Sequence, residues 1–135
     1  MSYLPEFIDR CLKNWLQLLA GSWPASSDPI AGRAFESCAP NSTIETIADL
    51  EMAIMALPDW HQDCVNAYIV AAGGIVEASH SLRRRREDVR HGVDQALLAM
   101  AVYLGCPRRE AEESLREMQE DRRQRTKWRT VGCRS

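Results

Sequence analysis

Residues 50–100 read LEMAIMALPDWHQDCVNAYIVAAGGIVEASHSLRRRREDVRHGVDQALLAM, and this stretch decides the fold. Its apolar residues recur three and four positions apart, the spacing that places side chains on one face of an α-helix. Pro58 and the pair Gly73-Gly74 divide the stretch into successive helices, because proline and adjacent glycines end helices. No convincing β-strand can be read from it, so the sequence predicts an all-α fold.

Within this stretch, a short helix and a long one are predicted on either side of a run of arginines. The short helix runs from Ile75 to about Ser81, and the long one carries an apolar stripe from Val89 to Leu104. The interval from Leu82 to Val89 and the stripe that follows are typical of a helix-turn-helix. In such a unit the short helix braces the long one, and the solvent side of the long helix enters the major groove of DNA.

The candidate DNA-binding residues follow from this placement. The turn would hold Arg83 and Arg84, and the solvent side of the long helix would carry Arg85, Arg86, Glu87, Arg90 and His91. Arginine forks can hold phosphates or the acceptor pair of guanine, and a carboxylate can accept from the cytosine amino group. The alternative interpretation is a solvated helix start, because such runs are common at surfaces and arginines at a helix N-terminus oppose its dipole.

Toward the N-terminus, one amphipathic helix is predicted from Leu4 to Leu19. The stretch Gly21 to Asn41 is rich in Pro, Ser, Gly and Ala and predicts a loop. Ser42 and Glu45 form a capping box that opens a helix running to Leu57. Asp59 and Gln62 repeat the capping signal and predict the start of the next helix.

Toward the C-terminus, a last helix is predicted from about Arg108 to Arg123, with few apolar residues to bury, and a frayed basic tail follows to Ser135. The predicted organisation is therefore an N-terminal helix and loop over residues 1–44, a helix-turn-helix domain over residues 45–106, and a charged helix and tail over residues 107–135.

Charge is divided unevenly along the chain, although the formal net charge is only -2. Residues 1–80 contain three Lys/Arg and ten Asp/Glu, whereas residues 81–135 contain fourteen and nine, so the two parts carry -7 and +5. Affinity for nucleic acid follows the local density of cations that neutralise phosphates. The basic part therefore favours a polyanionic partner, and the acidic part favours a different one.

Several classes of protein are disfavoured. At 135 residues the chain suits one domain, and no run approaches the roughly 18 apolar residues of a membrane-spanning helix, so no membrane contact is expected. Acidic Glu6 and Asp9 precede any basic residue, unlike in a secretory signal, which favours the cytoplasm. The five cysteines form no CxxC pair, and the histidines lack companions at ligand spacing. No catalytic constellation or cofactor motif stands out, so neither an enzyme nor a cofactor is expected.

Residues 45–104 resemble region 4 of sigma-70-type factors: LEMAIMALPDWHQDCVNAYIV is similar to its opening helices and SHSLRRRREDVRHGVDQALLAM to its helix-turn-helix. With the LxNW-like helix at Leu12 to Trp15, the chain resembles the late-gene antitermination Q proteins of lambdoid phages. The resemblance implies binding to double-stranded DNA, and to bacterial RNA polymerase with or without its sigma factor, in the host cytoplasm, and read-through of terminators. The chain departs from the pattern where no glycine follows Leu82, where Arg84 replaces a small apolar residue, and in lacking the zinc finger of some relatives.

Two other functions remain open. A helix-turn-helix repressor or activator, or a terminase-like DNA-binding subunit, would form a symmetric dimer on a palindrome, so self-association is left open. A helical adaptor would bind a protein through the acidic half and would bind no DNA. Salt-dependent binding to random duplex DNA would distinguish the adaptor from the others, because only a DNA-binding protein releases counterions.

Overall fold

The computed structural model describes residues 3–22 and 42–133, with side chains to residue 126, and within these ranges the chain is helical with no β-strand. The predicted all-α fold is confirmed. Seven helices follow in order: α1 Pro5–Lys13, α2 Trp15–Leu19, α3 Thr43–Met55, α4 Asp59–Val70, α5 Ile75–Leu82, α6 Arg86–Tyr103 and α7 Arg108–Cys133. The predicted loop from Gly21 to Asn41 lies outside the described residues, apart from its first two.

The predicted N-terminal helix is divided into two. Asn14 has φ -120° and ψ 35°, outside the helical region, and it ends α1 before α2 begins. Its side-chain Nδ2 donates to the Arg10 carbonyl oxygen at 2.9 Å, which satisfies one of the carbonyls exposed at the end of α1. The prediction of one continuous helix from Leu4 to Leu19 is therefore wrong, because the local asparagine hydrogen bond competes with helix propagation.

The two predicted capping signals have different outcomes. The first is confirmed, since Ser42 Oγ accepts from the Glu45 backbone amide at 3.3 Å and opens α3. The second marks the start of α4 at Asp59 as predicted, but the expected capping bond is absent, because Pro58 is the N-cap and no side chain caps the helix. Gln62 instead turns back to α3, where its Nε2 donates to the carbonyl oxygens of Met55 at 3.1 Å and Leu57 at 2.9 Å.

Helix α6 is the central element and packs against α1, α3, α4, α5 and α7. Its predicted apolar stripe is confirmed: the fully buried positions include Val89, Val93, Ala96, Leu97, Met100 and Ala101. Gly92 lies where α6 comes close to α4, and a Cβ at this position would lie 2.5 Å from Cys64 Sγ. An interior glycine costs about 1 kcal/mol of helix propensity relative to alanine, which is offset here by the close packing that it permits.

Helix α7 is longer than predicted, since it continues to Cys133 instead of ending near Arg123. Its sequence is rich in Arg, Glu and Gln, which are good helix formers, and no Gly or Pro interrupts it before Gly132. Ion pairs one turn apart add modest support, among them Arg108–Glu112 at 3.1 Å and Arg125–Asp121 at 3.1 Å. The prediction of a frayed tail after Arg123 is therefore wrong up to Cys133.

One hydrophobic cluster joins all three segments that the sequence suggested. Ile8 and Leu12 of α1, Leu50 of α3, Tyr68 of α4 and Ala111 of α7 all belong to it. Helix α1 also contacts α4, α6 and α7, and α7 contacts α6, so the N- and C-terminal helices both pack on the central helix. The exposure of each arginine on α6 therefore depends on which neighbouring helices pack against it.

Candidate nucleic-acid interface

Four consecutive arginines, Arg83 to Arg86, form the connection between α5 and α6 and the first residue of α6, and all four are exposed. We call these four residues the α5–α6 corner. A short helix, a three-residue turn and an 18-residue helix follow one another here. The arrangement places several guanidinium groups at the N-terminal end of the long helix, where no carboxylate of the described side chains lies within ion-pair distance of them.

The turn is closed by backbone hydrogen bonds that require a left-handed residue. Arg83 has φ 55° and ψ 45°, and the Arg84 amide donates to the Ser79 carbonyl oxygen at 3.1 Å. This is the bond of a Schellman motif, in which glycine usually occupies the left-handed position. Here an arginine adopts this backbone conformation in place of glycine, at a conformational cost.

Arg84 packs against an aromatic ring. Its Cζ lies 5.4 Å from the centroid of Trp60, which is half-buried and packs against the core. A guanidinium at this distance from an indole is attracted by the ring's negative face. Trp60 therefore helps to hold Arg84 and the turn against the core.

The remaining predicted site residues divide into two groups. Glu87 and His91 are exposed on α6, as Arg85 and Arg86 are. Arg90 differs, since its side chain is only 25% exposed and its Nη2 lies 3.1 Å from Asp94 Oδ1. Its Cζ also lies 5.7 Å from the ring centroid of Tyr68. The structure thus brings six of the seven predicted residues to the surface and packs the seventh into a polar network.

Asp94 is the centre of that network and was missed by the sequence analysis. It is 4% exposed, and its Oδ1 accepts from Arg90 Nη2 at 3.1 Å and from Arg122 Nη2 at 3.0 Å. Its Oδ2 accepts from Gln119 Nε2 at 3.2 Å and from Arg122 Nη2 at 3.1 Å. The four-residue spacing from Arg90 to Asp94 is a signal for an ion pair on one helix. The contribution of Arg122, which lies on α7, had no local signal.

A second polar cluster, formed by Tyr68, Asp9 and Lys13, adjoins Arg90 through the Tyr68 ring. The Tyr68 hydroxyl donates to Asp9 Oδ1 at 2.5 Å, and Lys13 Nζ lies 3.0 Å from Asp9 Oδ2. Burial, followed by the charge of Asp9 and its hydrogen bond, raises the pKa of the Tyr68 phenol above its usual value. Tyr68 is therefore protonated and acts as a donor at neutral pH, which fixes α1 to α4.

The thiols and imidazoles of the described side chains show no sign of a reactive or metal site. Burial raises the pKa of Cys11 to about 12 and that of Cys64 to about 11, so both are protonated thiols at neutral pH. Among the described residues, no group of three His, Cys, Asp or Glu side chains is placed to hold a metal ion. Cys38 and the side chain of Cys133 lie outside the described part.

Comparisons with protein-family models, with curated proteins and with solved structures find no match for this chain. None of the helices in residues 3–22 and 42–133 is both long and apolar enough to cross a bilayer.

Proposed function

We propose that this protein is a DNA-binding transcription factor of the antitermination type. The observation that carries the proposal is the exposed α5–α6 corner, with its four arginines between a short helix and a long one. Helix-turn-helix proteins place the N-terminal residues of the second helix at base edges, while neighbouring cations hold phosphates. Arg85 and Arg86 would then contact DNA from the N-terminus of α6, and Arg83 would contact the backbone.

Glu87 and His91 would extend this contact along the exposed side of α6. A carboxylate can accept from a cytosine amino group, and an imidazole can donate to or accept from base edges. Glu87 also lies in the first helical turn, where a negative charge favours the helix dipole and offsets the opposite effect of Arg86. Arg90 would take part from its packed position and not as a freely extended side chain.

A second surface supports a protein partner. Helices α2 and α3 pack together and expose large apolar side chains, including Leu16 at 81%, Ile44 at 78% and Met55 at 78%. Large exposed apolar side chains on two adjacent helices are candidates for a contact with a protein partner. In an antitermination factor acting in the bacterial cytoplasm, this surface would contact RNA polymerase, with or without its sigma factor.

A transcription assay with purified polymerase tests the proposal. The variant Ile44→Ser/Met55→Ser should keep DNA affinity and abolish terminator read-through, because it removes apolar surface without touching the arginines. Val70→Ser is a matched control, since Val70 is 88% exposed but lies at the end of α4. This control should keep both activities.

The remaining functions predict other results. A repressor would block initiation and never raise read-through on a template that carries its own site, and it would form a symmetric dimer there. A terminase-like subunit would bind DNA without any effect on transcription. An adaptor would bind a protein partner but would show no salt-dependent affinity for duplex DNA. Any of these three results would contradict the antitermination proposal.

A further inference from the structure

An open groove of about 540 Å³ lies between the first half of α6 and the middle of α7. Its lining residues are Arg90, Gln119, Arg122, Arg123 and Thr126. We call it the α6–α7 groove. Three of the five lining side chains are cationic, and none carries a carboxylate, so the groove favours an anion.

The charges beneath the groove do not cancel. Arg90 and Arg122 share the single carboxylate of Asp94, whose two oxygens already accept from both arginines and from Gln119. The Nε of Arg90 is buried and has no hydrogen-bond partner within the described part of the chain. One carboxylate therefore satisfies neither the charge nor the donors of two guanidinium groups, each of which has five N–H bonds.

Arg123 adds a third positive charge at the edge of the groove. It is exposed, and no carboxylate of the described residues lies within ion-pair distance of it. Arg122 retains 32% of its side-chain exposure, so its guanidinium remains accessible from solvent. A ligand could thus contact Arg122 and Arg123 while Asp94 holds Arg122 in place.

A second cleft that also has Arg90 and Arg122 in its lining provides a comparison. It has a similar volume of about 550 Å³, but its lining includes the carboxylates of Glu6, Asp9, Glu117 and Asp121. The cleft lining combines these four carboxylates with five cationic side chains, whereas the groove lining has three cationic side chains and no carboxylate, with Asp94 beneath it. This difference in lining charge favours the α6–α7 groove over the cleft as a site for an anion.

We propose that the α6–α7 groove binds a phosphate group of a nucleic-acid backbone. This inference deepens the proposed function and rests on it, because it adds a second contact beside the α5–α6 corner. Arg86 and Arg90 are four residues apart on α6, so they lie on the same face about one helical turn apart. Cationic groups therefore continue from the corner into the groove, and arginine forks suit phosphate oxygens.

The test compares charge changes at two exposed positions of α7 in the full chain. Arg123→Ala and Arg123→Glu alter the groove, whereas Arg116→Ala and Arg116→Glu alter an exposed arginine outside it. Affinity for random duplex DNA is measured over a salt series, and thermal midpoints check the fold. Arg123→Ala should weaken binding about two- to fivefold, the range of an exposed ion pair. It should also flatten the dependence of log K on log salt by about 0.9, the value for one phosphate contact.

Inorganic phosphate at constant ionic strength gives the second measurement. If wild-type protein binds DNA and the Arg123 and Arg116 variants weaken it equally, the groove is not a phosphate contact, and the proposed function is unaffected. If wild-type protein binds no DNA but phosphate raises its thermal midpoint in an Arg123-dependent way, the groove holds a small anion and both the nucleic-acid assignment and the proposed function fail. If neither ligand binds, both proposals fail as well.

Discussion

The arginines of the α5–α6 corner and Arg90 of α6 have different environments. The α5–α6 corner exposes its four guanidinium groups to solvent, whereas Arg90, one turn further along α6, is packed against Asp94 and Tyr68. The difference arises from α7 and α4, which cover one side of α6 after its first turn. An exposed arginine contributes little to stability, but a packed one holds both a charge and a hydrophobic stem in place.

The corner arginines and the Asp94 network should therefore respond differently to substitution, although they are only a few residues apart in sequence. Changes at the corner should alter the affinity for DNA and leave the fold intact. Changes in the Asp94 network should alter the free energy of unfolding, and they should also alter the affinity for DNA, because Arg90 and Arg122 belong both to the network and to the α6–α7 groove. Four sets of substitutions test this separation, beginning with the change that should have the largest effect.

Asp94→Ala should lower the free energy of unfolding by about 3 kcal/mol, because it leaves Arg90 and Arg122 partly buried without their shared partner. Chemical denaturation followed by circular dichroism measures the change. Asp88→Ala is the matched control, since Asp88 is an exposed carboxylate in the first turn of the same helix. The control should change stability by no more than about 0.5 kcal/mol. Equal losses in the two variants would show that the network does not stabilise the fold.

Arg90→Ala should cost about 1.5 kcal/mol, the value of a charge-assisted hydrogen bond together with the packing on Tyr68. The loss is smaller than for Asp94→Ala because Arg122 still neutralises the carboxylate. Denaturation of Arg90→Ala beside Arg85→Ala gives the comparison directly. If both variants unfold at the same denaturant concentration, Arg90 belongs with the exposed arginines of the corner.

The sequence predicts the parts of the fold that depend on local signals. Apolar spacing predicted the buried face of α6, and the Ser42 capping box predicted the start of α3. The break at Asn14 depended on a hydrogen bond to Arg10 that helical periodicity does not encode. The length of α7 was underestimated because its few apolar residues were given more weight than its helix-forming composition.

The candidate site could be predicted from the sequence only in part, because the exposure of a side chain depends on elements that are distant in sequence. The run of arginines indicated a surface, and the structure exposes all four of its members. Arg90 has a similar position in the helical pattern, but it belongs to a network in which Asp94 and Arg122 are 28 residues apart in sequence. The packing of α4 and α7 on α6 distinguishes Arg90 from the corner arginines.

Arg83→Gly should raise the free energy of unfolding by about 0.5–1 kcal/mol, because glycine adopts the left-handed conformation of this turn without a steric penalty. Thermal denaturation checks the gain. Arg83→Ala is the control, since alanine removes the same charge but retains the strained backbone. If Arg83→Ala stabilises the protein as much as Arg83→Gly does, the gain comes from reduced repulsion among the arginines and not from the turn.

Arg85→Ala/Arg86→Ala should have the smallest effect on stability, within about 0.5 kcal/mol, because both side chains are exposed. Arg85 is the N-cap of α6 but makes no side-chain capping bond that alanine would remove. Affinity for duplex DNA should nevertheless fall, and the slope of log K against log salt should become shallower by about 0.9 for each phosphate that is no longer neutralised. Arg109→Ala/Arg116→Ala removes the same charge from exposed positions of α7 and controls for the net charge of the chain. Should the two double variants bind DNA with equal affinity and equal slope, the corner would be a solvated surface, and the division between binding and structural arginines would not hold.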